Sequence, residues 1–344
     1  MTEIPHLQRY ILPKVSIRPN KIVSYNEFGW TSSDPNFKFS KVSKSTTNTP
    51  KRIFHNFKLS YKSQIAIKEK INWLYTLSRA RYKQTLNGKQ IYNFKLSFIT
   101  LTLPSEQIHP TSEITKVCFN QFLTELRSQF KVSNYVWKLE FQENNNVHYH
   151  IVTDTFIDYY IVRKVWNRII NKLGYVDRYS TAMHSLTFTE YFKKYYKEDK
   201  TLFNKAFDNY AKGKRNNWKV PPSVSTDNVT SKSNIGAYIA KYISKKDKTE
   251  HPCNPLDNEE NSYGLRLWYC SQSLSKLDKI TAYEGESYYD IFDLVCNTDK
   301  VLRSAKDYVF MLFYNLRDLP KYISHLLRGV FYEYANTTGY IYPS

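Results

Sequence analysis

Residues 135–153 read YVWKLEFQENNNVHYHIVT, and the reading of this stretch decides the fold. Two β-rich runs, 135–142 and 147–153, flank the polar ENNN, which is the pattern of a hairpin. In the second run His148 and His150 lie two apart. On a strand such residues point to the same side, so both imidazoles address one spot. Paired imidazole nitrogens are divalent-metal ligands. The pair alone decides little, because eight histidines in a chain of 344 residues give an H-x-H by chance with probability roughly 0.2.

The turn sharpens the reading. A three-residue loop, Asn144-Asn145-Asn146, suits asparagine's tolerance of the left-handed conformation. It sets Glu143 opposite Val147, Gln142 opposite His148 and Glu140 opposite His150. Directly opposed residues share a face, so Glu140, Gln142, His148 and His150 then line one hydrophilic surface. A two-residue loop would instead bring Leu139 and Phe141 beside the histidines. The odd loop makes Glu140 the expected third ligand, with Gln142 as the alternate.

Outward from the hairpin, the segment FKLSFITLTLP (94–104) alternates like a strand and stops at Pro104. Apolar residues at helical spacing predict helices over 63–84, 112–130 (with Ser112 as its cap), 158–173 and 188–211, and another from about 234. Residues 221–233 and 247–262 read as polar loops, and GLRLWYC (264–270) as a last strand. Residues 1–55 are expected to be an irregular N-terminal arm, 56–279 the main domain, and 280–344 a mostly helical C-terminal region with one strong helix near 300–328. No G-x-x-x-x-G-K-[ST] occurs, so the sequence offers no P-loop motor.

Composition narrows the function. Fifty Lys and Arg against 31 Asp and Glu give a formal net charge of +19, a field that draws polyanions, with nucleic acid the usual partner. Thirty tyrosines and 20 phenylalanines offer stacking platforms for unpaired bases as well as core. The cysteines, Cys118, Cys253, Cys270 and Cys296, show no paired spacing, which argues against a disulfide framework or a zinc ribbon and fits a reducing cytoplasm. No stretch approaches the roughly 18 apolar residues of a membrane span, so no membrane partner is expected.

A further motif is Tyr238-Ile-Ala-Lys-Tyr242. On a helix, residues i and i+4 share a face, so both phenols, with Lys241 nearby, can address one backbone. Thirty tyrosines give about 2.6 such pairs by chance, and Tyr191 with Tyr195 is a second one here. The weight lies in the order of the three segments. FITLTLP (98–104), LEFQENNNVHYHIV (139–152) and AYIAKYISKK (237–246) together resemble the three-motif signature of the HUH endonucleases, the initiators of rolling-circle replication. YIAKYISKK is similar to the two-tyrosine motif of initiators from icosahedral single-stranded DNA phages, and GLRLWYCSQSL (264–274) to a segment that follows it. The resemblance spans roughly residues 60–275.

The resemblance implies an α+β fold with a central five-stranded antiparallel sheet and flanking helices, the motif-one strand beside the histidine strand. It implies metal ligands at His148 and His150, nucleophiles at Tyr238 and Tyr242 with Lys241 at the same DNA backbone, and bystander roles for Tyr191 and Tyr195. It implies Mg²⁺ or Mn²⁺ as cofactor, and a site-specific endonuclease and strand transferase acting on single-stranded DNA at a replication origin. A host helicase and polymerase are then expected partners, and the cytoplasm the expected location, that of a bacterial host if a phage encodes the chain. Two other readings remain open at this point: a relaxase or single-strand transposase with the same chemistry, and a non-catalytic basic DNA-binding protein in which the histidines are structural.

Overall fold

The computed structural model describes residues 7–34, 57–84, 90–229, 254–262 and 264–342. Twelve strands run along these residues: β1 Leu7–Arg18, β2 Lys21–Ser32, β3 Arg81–Gln84, β4 Gln90–Phe94, β5 Leu96–Thr102, β6 Tyr135–Phe141, β7 Val147–Thr153, β8 Val224–Val229, β9 Trp268–Cys270, β10 Ile280–Tyr283, β11 Leu302–Lys306 and β12 Val309–Phe313. With the helices between them they make an α+β fold that divides into two compact units, one of residues 52–271 and 342–344, the other of residues 1–51 and 272–341.

The larger unit is built on a five-stranded sheet in the order β8-β5-β7-β6-β9, all neighbours antiparallel. The expected adjacency of the 94–104 strand and the histidine strand is present as β5 beside β7. The alternation along these strands sorts their side chains. Ile99, Leu101, Trp137, Leu139, Tyr149 and Ile151 point one way and are buried in a single core with Phe119, Phe122 and Trp166. These last three come from helices laid across that face: Thr111–Ile114 continued by a π-helical turn Thr115–Phe119 and by Asn120–Ser128, then Tyr159–Ile170. Phe119 stacks on Tyr149 with ring centroids 4.0 Å apart, and the Trp166 indole N–H donates to the Thr102 carbonyl at 2.8 Å. Burial of each such side chain contributes about 1.5–3 kcal/mol. The helix Tyr61–Leu77 packs against β6.

Several local expectations shift. The first helix ends at Leu77, and residues 81–84 form β3, because β4 is there to pair with them. The Thr111 helix is capped not by Ser112 but by Asp257, whose carboxylate accepts the Thr111 N–H at 2.7 Å and hydroxyl at 2.5 Å. A helix Tyr175–His184 was not anticipated. The single helix expected over 188–211 is two, Phe188–Tyr196 and Phe203–Arg215. Lys197 and Glu198 both take positive φ between them, which no helix continues through. The loop expected at 221–233 contains β8, held to β5 by its ladder.

The smaller unit joins the two ends of the chain in a second antiparallel sheet, β10-β1-β2-β12-β11. Residues 7–32 are therefore strands rather than an irregular arm. β1 and β2 pair along their whole length. β10 flanks β1 at Lys14–Ile17, and β12 flanks β2 at Lys21–Tyr25. Val15, Ile17, Ile22 and Leu312 are fully buried. The helix expected near 300–328 is displaced: β11 and β12 occupy its first half, and the helix runs Lys321–Thr337 after Pro320. Proline suits that entry, having no N–H to leave unsatisfied. Its buried stripe is Ile323, Leu327, Val330 and Phe331. Among the described residues no helix is long and apolar enough to cross a membrane.

Candidate metal centre

The face of the larger sheet turned away from Phe119 and Trp166 carries the polar residues. β6 presents Lys138 and Glu140, β7 presents His148 and His150, and β5 presents Thr100 and Thr102. The hairpin register differs from the expected one by two residues: Glu140 lies opposite His148 and Lys138 opposite His150, while Phe141 pairs with Val147. The loop therefore has five residues, 142–146, not three. Its side chains account for the change. Asn146 is turned out of the ladder, donating to the Ser105 carbonyl at 2.8 Å and accepting the Gln107 N–H at 2.9 Å. The Gln107 side chain accepts the Val147 N–H at 2.8 Å. Within the turn, the Asn145 N–H donates to Gln142 O, and Asn145 takes the left-handed conformation at φ 62°. Three and five are both odd, so the facing of the strands survives the shift.

Glu140, His148 and His150 come together as expected, each offering one ligand atom, and these atoms lie within 4.8 Å of one another. His150 Nε2 and Glu140 Oε1 are 2.8 Å apart, close to the spacing of about 3 Å between neighbouring ligands on a small divalent cation. The two imidazole rings are 4.4 Å apart, centroid to centroid. His150 is only 5% exposed. Its other nitrogen, Nδ1, sits 3.1 Å from the Thr100 hydroxyl, and Phe98 flanks the ring at 5.7 Å. A partner on the second ring nitrogen is what orients a ligating histidine.

Two imidazoles and one carboxylate fit a borderline or moderately hard divalent ion, with Mn²⁺ better matched than Mg²⁺ by the nitrogen content. Gln142, the alternate ligand, is the first residue of the turn and not the strand partner of His148.

Lys138 and Thr100 were missed from sequence. Lys138 Nζ lies 3.1 Å from Glu140 Oε2, so each carboxylate oxygen has a positively charged or imidazole neighbour. A signal existed for both. Lys138 is two residues before Glu140, and Thr100 sits at a polar step of the alternation in FITLTL. Tyr238, Lys241 and Tyr242 lie outside the described residues. The matching pair, Tyr191 and Tyr195, is packing material. Tyr191 is buried among Tyr195, Tyr210 and Trp218, with ring centroids 5.1–5.6 Å away, and burial pushes its phenol pKa upward.

Residues 96–247, less than half of the 344-residue chain, match the Replication-associated protein ORF2 family. No curated protein matches the chain. No solved structure matches it either. The family match supports a replication initiator of the Rep type, acting with DNA, and the matched residues include the whole of the Glu140, His148 and His150 cluster.

Proposed function

We propose that this protein initiates rolling-circle replication by nicking single-stranded origin DNA with a tyrosine and later rejoining the strand. The observation that carries the reading is the convergence of Glu140, His148 and His150 on one sheet face within the stretch that resembles replication-associated proteins. These three residues would hold the divalent cation, which when bound supplies positive charge to the scissile phosphate. Thr100 orients His150, and Lys138 holds Glu140 in place and adds a second positive charge beside it.

The nucleophile is a phenol, with Tyr238 and Tyr242 as the candidates. A phenol has a pKa near 10 and attacks poorly at neutral pH unless the phosphate is made electrophilic. The phenolic oxygen bonds to phosphorus, the bond from phosphorus to the 3′-oxygen breaks, and the departing oxygen takes up a proton. The products are a 5′-phosphotyrosyl protein and a free 3′-hydroxyl that a host polymerase can extend. The covalent bond keeps the phosphodiester energy, so rejoining needs no ATP. A second tyrosine allows another cut while the first remains attached, as release of a unit circle requires. A host helicase supplies the motor that the sequence does not offer.

The test is incubation of the full chain with single-stranded DNA of its own replicon and Mn²⁺, followed by a denaturing gel. A covalent adduct is expected, absent with chelator and absent when Tyr238 and Tyr242 are both changed to Phe. An adduct that survives the double change and vanishes with Tyr191→Phe/Tyr195→Phe would overturn the tyrosine assignment.

A further inference from the structure

The chain between β7 and β8 carries a helical hairpin, Phe188–Tyr196 and Phe203–Arg215, that the metal centre does not use. Four phenylalanines interlock where its two helices meet. Phe188 lies 5.4 Å from Phe203 and 5.5 Å from Phe207, and Phe192 lies 5.6 Å from Phe203. Yet the cluster is not closed over: Phe203 is 47% and Phe207 54% exposed. Phe203, Phe207, Tyr210 and Lys214 follow one stripe of their helix at steps of four, three and four. Lys214 sits over the Tyr210 ring at 5.4 Å, and Lys194 over the Tyr195 ring at 5.5 Å.

Charge says what would cover these rings. Residues 188–219 hold nine Lys and Arg against four carboxylates, and the cations are all exposed. Two of the carboxylates are occupied locally. Glu190 closes a capping box with Thr187, and Asp199 accepts from the Thr201 N–H and hydroxyl. No ion pair within the described residues engages the exposed cations. A protein partner docking through an apolar patch favours a patch core depleted of charge, especially of lysine. Open rings flanked by unpaired lysines suit a strand with stacking bases and a phosphate backbone.

The hairpin is also rooted beside the metal centre. The chain leaving it is fixed at Pro221 and Ser223: Asn167 donates to the Pro221 carbonyl at 3.3 Å, and Ser223 O accepts the Thr102 N–H at 2.9 Å. Thr102 is the strand partner of His148.

We infer that the helical hairpin is a second binding surface for single-stranded DNA, stacking bases on Phe203 and Phe207 while Lys194, Lys212 and Lys214 neutralise phosphates. The inference rests on the single-stranded substrate proposed above, and names a place where that substrate is held apart from the cutting site.

The test uses the full chain and a fluorescent oligo(dT) of about 30 nucleotides, with Phe203→Ala/Phe207→Ala, Phe203→Tyr/Phe207→Tyr and Lys194→Gln/Lys212→Gln/Lys214→Gln. The alanine pair is expected to weaken binding at least about tenfold, the tyrosine pair to bind as wild type because it keeps the rings. The lysine variant should flatten the slope of log K against log salt by about 2, at about 0.7 per phosphate contact on a single strand. Unchanged affinity in the alanine pair, or an unchanged salt slope, overturns the inference. So does equal weakening in the tyrosine and alanine pairs, which marks a packing defect.

Covalent adduct formation on the origin oligonucleotide is scored in parallel. Normal adduct with unchanged oligo(dT) affinity sinks this surface and leaves the nicking reading standing. Weakened affinity with no adduct from any variant or from wild type does the reverse.

Discussion

The two sheets of this protein have the same strand count and the same antiparallel pairing, but they draw their strands from different distances along the chain. In the larger unit, β6 and β7 are joined by five residues and β5 lies about 50 residues before its partner β7. In the smaller unit, β1 pairs with β10 more than 260 residues later, and β2 with β12 nearly 290 later. The larger sheet is packed by helices on one face and carries polar groups on the other, so its strands alternate. The smaller sheet lacks that contrast. All of β11 is exposed, while Val15, Ser16 and Ile17 are buried on consecutive positions. A sheet is readable from sequence when its partners are near and its two faces differ, and the smaller one fails both conditions.

The sharpest separation of the units is chemical. His150→Ala removes a ligand from the larger sheet, and the rate of adduct formation is expected to fall by about 10³-fold, the equivalent of several kcal/mol of lost phosphate stabilisation. Binding to single-stranded DNA should persist, because backbone contacts dominate affinity. Ile22→Ala in the smaller sheet should leave adduct formation by the folded protein unchanged. Rates from a denaturing gel, with binding by fluorescence anisotropy, check both. Equal loss of nicking in the two variants would erase the division of labour between the sheets.

The cores offer the next comparison. Trp166 is fully buried, packs on Phe122 at 5.8 Å and donates to Thr102. Its replacement by Ala should cost about 3–5 kcal/mol, against about 2–5 kcal/mol for Ile22→Ala. Urea unfolding of both variants measures the difference. A cost for Trp166→Ala below that for Ile22→Ala would show that the core legible in the sequence is not the more heavily packed one.

The candidate site divides along the same line. The facing of Glu140, His148 and His150 was legible because parity alone sets it. The register was not, because it depends on Asn146 and Gln107, whose bonds cross 39 and 40 residues. Asp257 capping the Thr111 helix across 146 residues was illegible for the same reason. The split of 188–211 into two helices was also missed, since lysine and glutamate at 197–198 carry no sign of left-handed backbone.

The register gives a prediction of intermediate size. Asn146 is almost fully buried and bonds to Ser105 and Gln107. Asn146→Ala leaves those groups unsatisfied and should cost about 1–3 kcal/mol. It should also weaken Mn²⁺ binding, read by calorimetry, because the turn that fixes the register is loosened. Full stability with wild-type metal affinity would mean that the strands hold the register without the turn.

The smallest expected effect tests how the two helices over the larger sheet are tied. Glu125, on Asn120–Ser128, is desolvated by burial, which raises its pKa. Hydrogen bonds from Arg168 and Gln121 outweigh this, so the net shift is downward from 4.5. Arg168 belongs to Tyr159–Ile170, and its side chain is half exposed, so the pair falls in the surface range of about 0.2–1 kcal/mol. A carboxylate whose folded pKa is depressed stabilises the fold above its unfolded pKa, and that contribution disappears as pH falls through the folded value. Wild type should therefore exceed Glu125→Gln in stability at neutral pH by this small margin. The two should converge as the pH falls below about 4.5 and through the lower folded value. Urea midpoints across that window measure the convergence. A gap that stays constant would place the contribution of Glu125 in packing, and the charge between the two helices would then hold nothing that the apolar contacts beneath it do not.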